Sequence, residues 1–107
     1  MKLESEFQRR LKKEITERFP GCFILKNDPT MQQGIPDLTI LYEDKWATLE
    51  VKKSAKATHR PNQDHYVETM NNMSFSAFIF PENKEEILDE LERTFRPERK
   101  TLDIQSE

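Results

Sequence analysis

The N-terminal part of the chain has an apolar residue at every fourth position, with charged residues between them. These apolar positions are Leu3, Phe7, Leu11, Ile15 and Phe19. A spacing of four is typical of one face of an amphipathic helix. We therefore predict a helix over residues 3–19, which the following Pro20-Gly21 would end.

Short apolar stretches farther along the chain predict four strands. They cover residues 22–25, 37–42, 46–52 and 75–80. Only Glu43-Asp44-Lys45 separates the second stretch from the third, so these two strands should form a hairpin. Residues 27–36 and 53–60 are polar and predict loops. The last strand is apolar at nearly every position, which favours burial on both faces.

Two further helices complete the pattern. One should begin at Pro61 and carry an apolar face of Tyr66, Val67, Met70 and Met73. Asn83 and Glu86 resemble a capping box before a helix that buries Ile87, Leu88, Leu91 and Phe95. The order is helix, three strands, helix, strand, helix. It predicts one α/β domain over residues 1–95, with a mixed sheet of about four strands flanked by helices, and a frayed tail over residues 96–107.

Cysteine content and hydropathy narrow the class of protein. Cys22 is the single cysteine among 107 residues, which excludes a disulfide within the chain and a cysteine-based zinc site. No signal peptide is evident, and no apolar run reaches the length of a membrane span. We therefore expect an intracellular, cytoplasmic protein that does not associate with membranes.

The net charge of -3 hides an uneven distribution of charged residues. Residues 45–60 carry five bases and one acid, whereas residues 82–107 carry nine acids and five bases. A basic segment suits a phosphate backbone, although a solvated charged surface is the ordinary alternative. The candidate nucleic-acid contacts in this segment are Lys53, Lys56, His59 and Arg60.

Three charged residues around the hairpin suggest a reactive centre. Strand alternation places Glu50 and Lys52 on the same face. A two-residue turn at Asp44-Lys45, or a four-residue turn, would bring Asp37 opposite Lys52 and Thr39 opposite Glu50. An unbulged three-residue turn would instead put Asp37 on the other face.

Two adjacent carboxylates repel each other unless a cation lies between them. Oxygen ligands of this kind suit magnesium or manganese. A nearby lysine can then orient or activate water. Two carboxylates that bind a cation, with a lysine that acts on water, are the groups needed to hydrolyse a phosphodiester.

The arrangement of these residues resembles the PD-(D/E)XK nuclease superfamily. Pro36-Asp37 is followed, after twelve residues, by Glu50-Val51-Lys52. The small VRR-NUC and Holliday-junction-resolvase-like members are similar in three further respects. They have Gly-x-Pro-Asp before the first strand of the hairpin, here starting at Gly34, an acid in the first helix, here Glu6, and a glutamine in the next helix, here Gln63. The resemblance covers roughly residues 4–80.

The resemblance implies a restriction-endonuclease-like fold and a role for each matched residue. Asp37, Glu50 and the main-chain carbonyl of Val51 would bind magnesium, with manganese able to substitute. Lys52 would position the attacking water and stabilise developing charge. Glu6 would assist at the metal, directly or through water, although Glu14 flanks the buried stripe similarly. Gln63 would orient Lys52 or a phosphate, unless it only forms a hydrogen bond at the start of its helix.

The implied protein is a magnesium-dependent DNA endonuclease that leaves 5′-phosphate and 3′-hydroxyl ends. Branched or junction DNA is the favoured substrate, and short members of this kind are common in phages. One site cuts one strand, so cutting a duplex or resolving a symmetric junction would require a homodimer. The candidate interface is the hairpin around Trp46 and the aromatic residues Phe75, Phe78 and Phe80. The alternatives are a monomeric nickase with internal aromatics and a non-catalytic module that binds nucleic acid or protein.

Overall fold

The computed structural model describes residues 2–97, which form three helices and a four-stranded sheet in the predicted order. The elements are α1 (Lys2–Arg18), β1 (Phe23–Lys26), β2 (Leu38–Tyr42), β3 (Lys45–Val51), α2 (Pro61–Met73), β4 (Phe75–Ile79) and α3 (Lys84–Phe95). A short 3-10 turn at Pro81–Asn83 precedes α3. The predicted α/β architecture is therefore confirmed. Most of the predicted tail, residues 98–107, lies outside the described part of the chain.

The sheet is mixed, and its strands follow the order of the sequence, β1-β2-β3-β4. The β1–β2 and β2–β3 pairs are antiparallel, and β4 runs parallel to β3. A parallel neighbour requires a crossover connection, and α2 provides it. The C-terminal end of β3 and the N-terminal end of α2 are therefore joined by one loop, residues 52–60.

Alternate residues of the strands divide the sheet into two faces. Helices α1 and α3 cover one face, where the main apolar core lies. Its largest fully buried members include Phe19, Phe95, Leu11, Ile15, Leu38, Ile40, Leu49, Ile79, Leu88 and Leu91. Helix α2 covers the β3–β4 part of the other face. The layer beneath α2 is more polar: Thr48 donates a hydrogen bond to Ser76 Oγ (2.7 Å), and Met70 lies against Thr48.

Helix α1 is fixed against α3 by ion pairs at both ends of their contact. Arg18 contacts Asp89 (2.7 Å) and Glu92 (3.1 Å), and Lys84 contacts Glu14 (2.8 Å). These contacts and the shared core set the direction of α1, and thereby the position of its N-terminal half.

Among residues 2–97, no helix combines the length and the apolar character needed to cross a membrane.

The capping box predicted before α3 is wrong. Asn83 does not cap α3 together with Glu86. Its side chain accepts the N–H of Phe80 (2.9 Å) and donates to the carbonyl of Phe78 (3.0 Å), closing the turn after β4. The predicted apolar face of α2 is wrong at Met73, the last residue of the helix, which is 69% exposed.

Candidate active site

Asp37 and Glu50 lie side by side where β2 begins and β3 ends. Leu38 pairs with Leu49 across the two strands, so the next step of the ladder sets Asp37 opposite Glu50. The predicted register, with Asp37 opposite Lys52, is wrong by two residues because the turn is Glu43-Asp44 rather than Asp44-Lys45. A shift of two preserves the strand face. The two acids therefore share a face, as expected.

Hydrogen bonds on both sides hold Asp37 in place. Its Oδ2 accepts the main-chain N–H of Val51 (2.9 Å), and its carbonyl accepts the N–H of Asn27 (2.8 Å). The Asn27 side chain donates to the Pro36 carbonyl (2.9 Å) and to Thr39 Oγ1 (2.8 Å). Val51 therefore fixes Asp37 through its backbone, while its own side chain lies in the core on the other face.

Glu50 is a buried carboxyl group with one satisfied oxygen and one unsatisfied oxygen. The residue is 3% exposed. Gln63 Nε2 donates to Glu50 Oε2 (3.0 Å), whereas Glu50 Oε1 is buried without a hydrogen-bond partner. Burial, followed by the negative charge of Asp37, raises the pKa of Glu50 from an ordinary value of 4.5 to about 8. Lys52 opposes this rise in pKa, and Glu4 adds to it.

Lys52 is nearly buried, and its ammonium group is held by oxygen atoms. Its Nζ donates to Gln63 Oε1 (2.9 Å) and to the carbonyl of Thr58 (3.0 Å). The distance from Nζ to Glu50 Oε2 is 3.8 Å. The loop between β3 and α2 supplies the Thr58 carbonyl, a contact that no side-chain pattern in the sequence indicated.

Gln63 connects the lysine to the carboxyl group. Its amide oxygen also accepts the N–H of Arg60 (3.0 Å), the residue that precedes α2. The first turn of α2 thus brings one amide between Lys52 and Glu50. The two alternatives for Gln63, a contact with Lys52 and a hydrogen bond at the helix start, are both present in the structure.

A cavity of about 400 Å³ opens beside the two acids. It is lined by Asp37, Glu50, Gln63, Arg60, Asn62 and residues of the loop that precedes β2. Gly34 lets this loop lie against α2. It has a φ of +90°, and a Cβ atom at this position would lie 2.5 Å from the Cβ of Asn62.

Of the acids on α1, the structure brings Glu4 rather than Glu6 to the site. Glu4 and Asp37 line a second cavity, of about 590 Å³, and the Glu4 charge raises the pKa of Glu50. Glu6 is exposed, and Glu14 pairs with Lys84 near the start of α3. Periodicity could not single out Glu4, because its nearness to Asp37 depends on how α1 packs on the sheet.

The residues expected to contact nucleic acid lie in different settings. Arg60 lines the cavity that contains Asp37 and Glu50. Lys53 and Lys56 are exposed on the preceding loop. His59 stacks on the ring of Phe78, with centroids 3.9 Å apart, and its Nδ1 lies 3.1 Å from Asp64 Oδ1. His59 is thus engaged with Phe78 and Asp64.

The donor set at Asp37 and Glu50 fits a divalent cation. Among residues 2–97, no three His, Cys, Asp or Glu side chains are grouped to hold a metal ion by themselves. A cation here would depend on two carboxylates, completed by main-chain oxygen, water or phosphate, as magnesium sites often are. The buried, unpartnered Glu50 Oε1 and the repulsion from Asp37 are the features that a cation would relieve.

Comparison with known proteins gives no relative from which these features could be interpreted. No protein-family model matches the chain, and no curated protein or solved structure is significantly similar to it. The interpretation of the site therefore rests on its own geometry.

Proposed function

We propose that this chain is a magnesium-dependent endonuclease that hydrolyses phosphodiester bonds in DNA, with a PD-(D/E)XK-type centre. The observation that carries the proposal is the environment of the Glu50 carboxyl group. Its buried carboxyl group has an unpartnered oxygen, lies next to a second carboxylate and opens on a cavity. A carboxyl group in that position is costly to ionise unless it binds a cation.

The carboxylates Asp37 and Glu50 would hold the magnesium ion, with the Val51 carbonyl as a further ligand and Glu4 as the acid from α1. A bound magnesium ion supplies Lewis-acid polarisation of a phosphoryl oxygen and lowers the pKa of water. Asp37 is oriented for this role by the N–H of Val51. The Gln63 amide leaves Glu50 Oε1 free to bind.

Lys52 would stabilise the negative charge that develops on the phosphate and would position the attacking water. Two of its ammonium hydrogens are bonded to oxygen atoms of Gln63 and Thr58. The side chain is therefore held in one orientation before substrate arrives. Preorganised charge of this kind is effective in a site from which water is largely excluded.

Nicking of supercoiled plasmid in magnesium or manganese, compared with EDTA, tests the proposal. We expect nicking only with the metal, and about a 10²–10⁴-fold loss in Lys52→Ala. The matched control is Lys13→Ala, an exposed lysine of α1 that lines neither cavity beside Asp37. The same assay extends to linear, flapped and four-way-junction DNA. Absence of cleavage across this panel would favour the non-catalytic binding module.

A further inference from the structure

Asp37 lies at the boundary of two cavities. One is the 400 Å³ cavity that also contains Glu50. The other is larger, about 590 Å³, and runs between α1 and the end of β1. We call this second cavity the α1 groove. Its lining residues are Glu4, Ser5, Gln8, Arg9, Lys12, Lys26 and Asp37.

Three basic side chains line the α1 groove together with the carboxylates of Glu4 and Asp37. Lys12 follows Arg9 by three positions and Gln8 by four, so its side chain lies beside both on the helix surface. Lys26 faces them from the end of β1 and donates a hydrogen bond to Gln8 Oε1 (2.9 Å). Within the described residues, Arg9, Lys12 and Lys26 form no ion pair, whereas Arg18 of the same helix pairs with two acids of α3. The groove therefore presents three positive charges that form no ion pair among the described residues, beside the carboxylates of Glu4 and Asp37.

Positive charge thus lies on both sides of Asp37. Arg60 lines the Glu50 cavity, with Lys53 and Lys56 on the loop before it. Arg9, Lys12 and Lys26 line the α1 groove. A substrate with a single phosphodiester would occupy only the region of the carboxylates, between the two sets of basic side chains. A polynucleotide strand carries phosphates at regular intervals and can use both sets.

We propose that the α1 groove binds the phosphates that flank the scissile phosphate on one side, so that a nucleic-acid strand lies across Asp37 from the 52–60 loop to α1. This inference rests on the proposed function and extends it. It makes α1 part of the substrate-binding surface. The basic segment at residues 45–60 would then supply only half of the contacts to the backbone.

The test compares two double variants on the same helix. Arg9→Ala with Lys12→Ala removes two bases from the groove. Arg10→Ala with Lys13→Ala removes the same residue types, at the same spacing, from outside it. Affinity for a fluorescent DNA duplex is measured by anisotropy in calcium, between about 50 and 200 mM salt, and thermal melting confirms that both variants fold.

We expect the groove variant to reduce the slope of log affinity against log salt by roughly 1.8 for duplex DNA, about 0.9 for each lost phosphate contact. The control variant should leave the slope unchanged. Lys26→Ala, on the opposite wall, should reduce the slope by about 0.9. Equal effects of the two double variants would overturn the proposal, because net charge alone would then explain them.

Plasmid nicking separates failure of this inference from failure of the proposed function. If the wild-type protein nicks DNA but the two double variants have the same salt slope, the proposed role of the α1 groove is wrong and the proposed nuclease function stands. If only the groove variant has a reduced salt slope but the wild-type protein cuts no DNA, the α1 groove binds a strand and the proposed nuclease function is wrong.

Discussion

At the scale of single residues, the amide of Gln63 is oriented by what surrounds it. Its oxygen receives hydrogen bonds from Lys52 Nζ and from the N–H of Arg60, and its nitrogen donates to Glu50. The reverse orientation would place the amide nitrogen against two donors. Gln63 therefore holds a lysine and a carboxyl group at fixed places, and in the proposed enzyme it would act as a positioning residue.

Replacing Gln63 with alanine should weaken both the fold and the reaction. Lys52 would lose one of its two hydrogen bonds and Glu50 its hydrogen bond from Gln63, at a cost of about 1–3 kcal/mol of unfolding free energy. Turnover should fall by up to about 100-fold, because Lys52 loses its fixed position. Steady-state kinetics with plasmid DNA should show the loss in kcat more than in KM. The control is Glu68→Ala, an exposed change on the same helix. A variant with unchanged kcat would contradict the positioning role.

The buried Glu50 carboxyl group should make stability depend on pH. Its pKa is about 8 in the folded protein, against an ordinary value of 4.5. The folded state therefore binds the proton more tightly than the unfolded state, and stability should fall as pH rises from about 4.5 to about 8. The loss should be on the order of 2–4 kcal/mol.

The variant Glu50→Gln lacks this ionisation and should be more stable than the wild type at pH 8 without metal. Magnesium should restore the stability of the wild type at that pH and leave the variant unaffected. Urea unfolding at pH 5 and pH 8, with and without magnesium, measures both effects. A wild-type protein whose stability does not change between these pH values would refute the account of Glu50.

At the scale of the elements, local patterns predicted most of the fold. The four-residue period of α1, the apolar run of β4 and the close spacing of β2 and β3 were sufficient for the order of helices and strands. The hairpin register was misplaced, because Glu43-Asp44-Lys45 contains no glycine or asparagine to mark the turn. In the structure Glu43 takes the positive φ, +57°, which its side chain does not favour.

Local sequence patterns predict only part of the candidate site. Strand alternation groups Glu50 and Lys52, and a turn with an even number of residues adds Asp37 to the same face, since a register error of two residues keeps the face. The contribution of Glu4 and the Thr58 carbonyl depends on how α1 and the 52–60 loop pack. Helical periodicity gives an acid its angle around the helix axis, but not its distance from another element.

The contact between Gly34 and α2 gives a prediction for the loop before β2. Gly34→Ala would place a Cβ atom 2.5 Å from the Cβ of Asn62. Gly21→Ala is the matched control, because Gly21 also has a positive φ, +92°, but has open space around it. Each change should cost about 1–2 kcal/mol for the left-handed backbone conformation.

Gly34→Ala should lose more stability than Gly21→Ala, and it should also lower nicking, since the displaced loop leads into Asp37. Adding Asn62→Gly should recover part of the loss by removing the atom in the way. Urea denaturation and plasmid nicking of the three variants measure these effects. Equal stability losses at the two glycines would show that the contact with α2 does not matter.

At the scale of the whole molecule, residues 2–97 of one chain carry one candidate site. Paired cuts in a duplex or a symmetric junction would need two chains, and twofold symmetry is the commonest arrangement. The aromatic residues predicted as a candidate interface are buried or half-buried. Phe75 is buried, and Phe78 is half-buried beneath His59. Trp46 and Phe80 are also half-buried.

We still expect a homodimer when paired cuts are made. Light scattering at micromolar concentration, with and without four-way-junction DNA, should give the mass of two chains under at least one condition. Cleavage assays on the same junction report whether the cuts are paired. A monomer under both conditions that makes paired cuts would refute this expectation, and a monomer that only nicks would fit the single-site alternative.

The continuity of the site in the sequence has a consequence for how it forms. Asp37, Glu50, Lys52, Thr58 and Gln63 all come from residues 37–63, a hairpin followed by a loop and one helical turn. Hairpins close within about 1–10 μs, much faster than contacts between distant segments are secured. The proposed catalytic groups can therefore meet early in folding, before α3 completes the core that holds α1. During that interval the nascent protein would have its carboxylates and lysine assembled but no α1 groove beside them, so the capacity to hold a long strand would arise last.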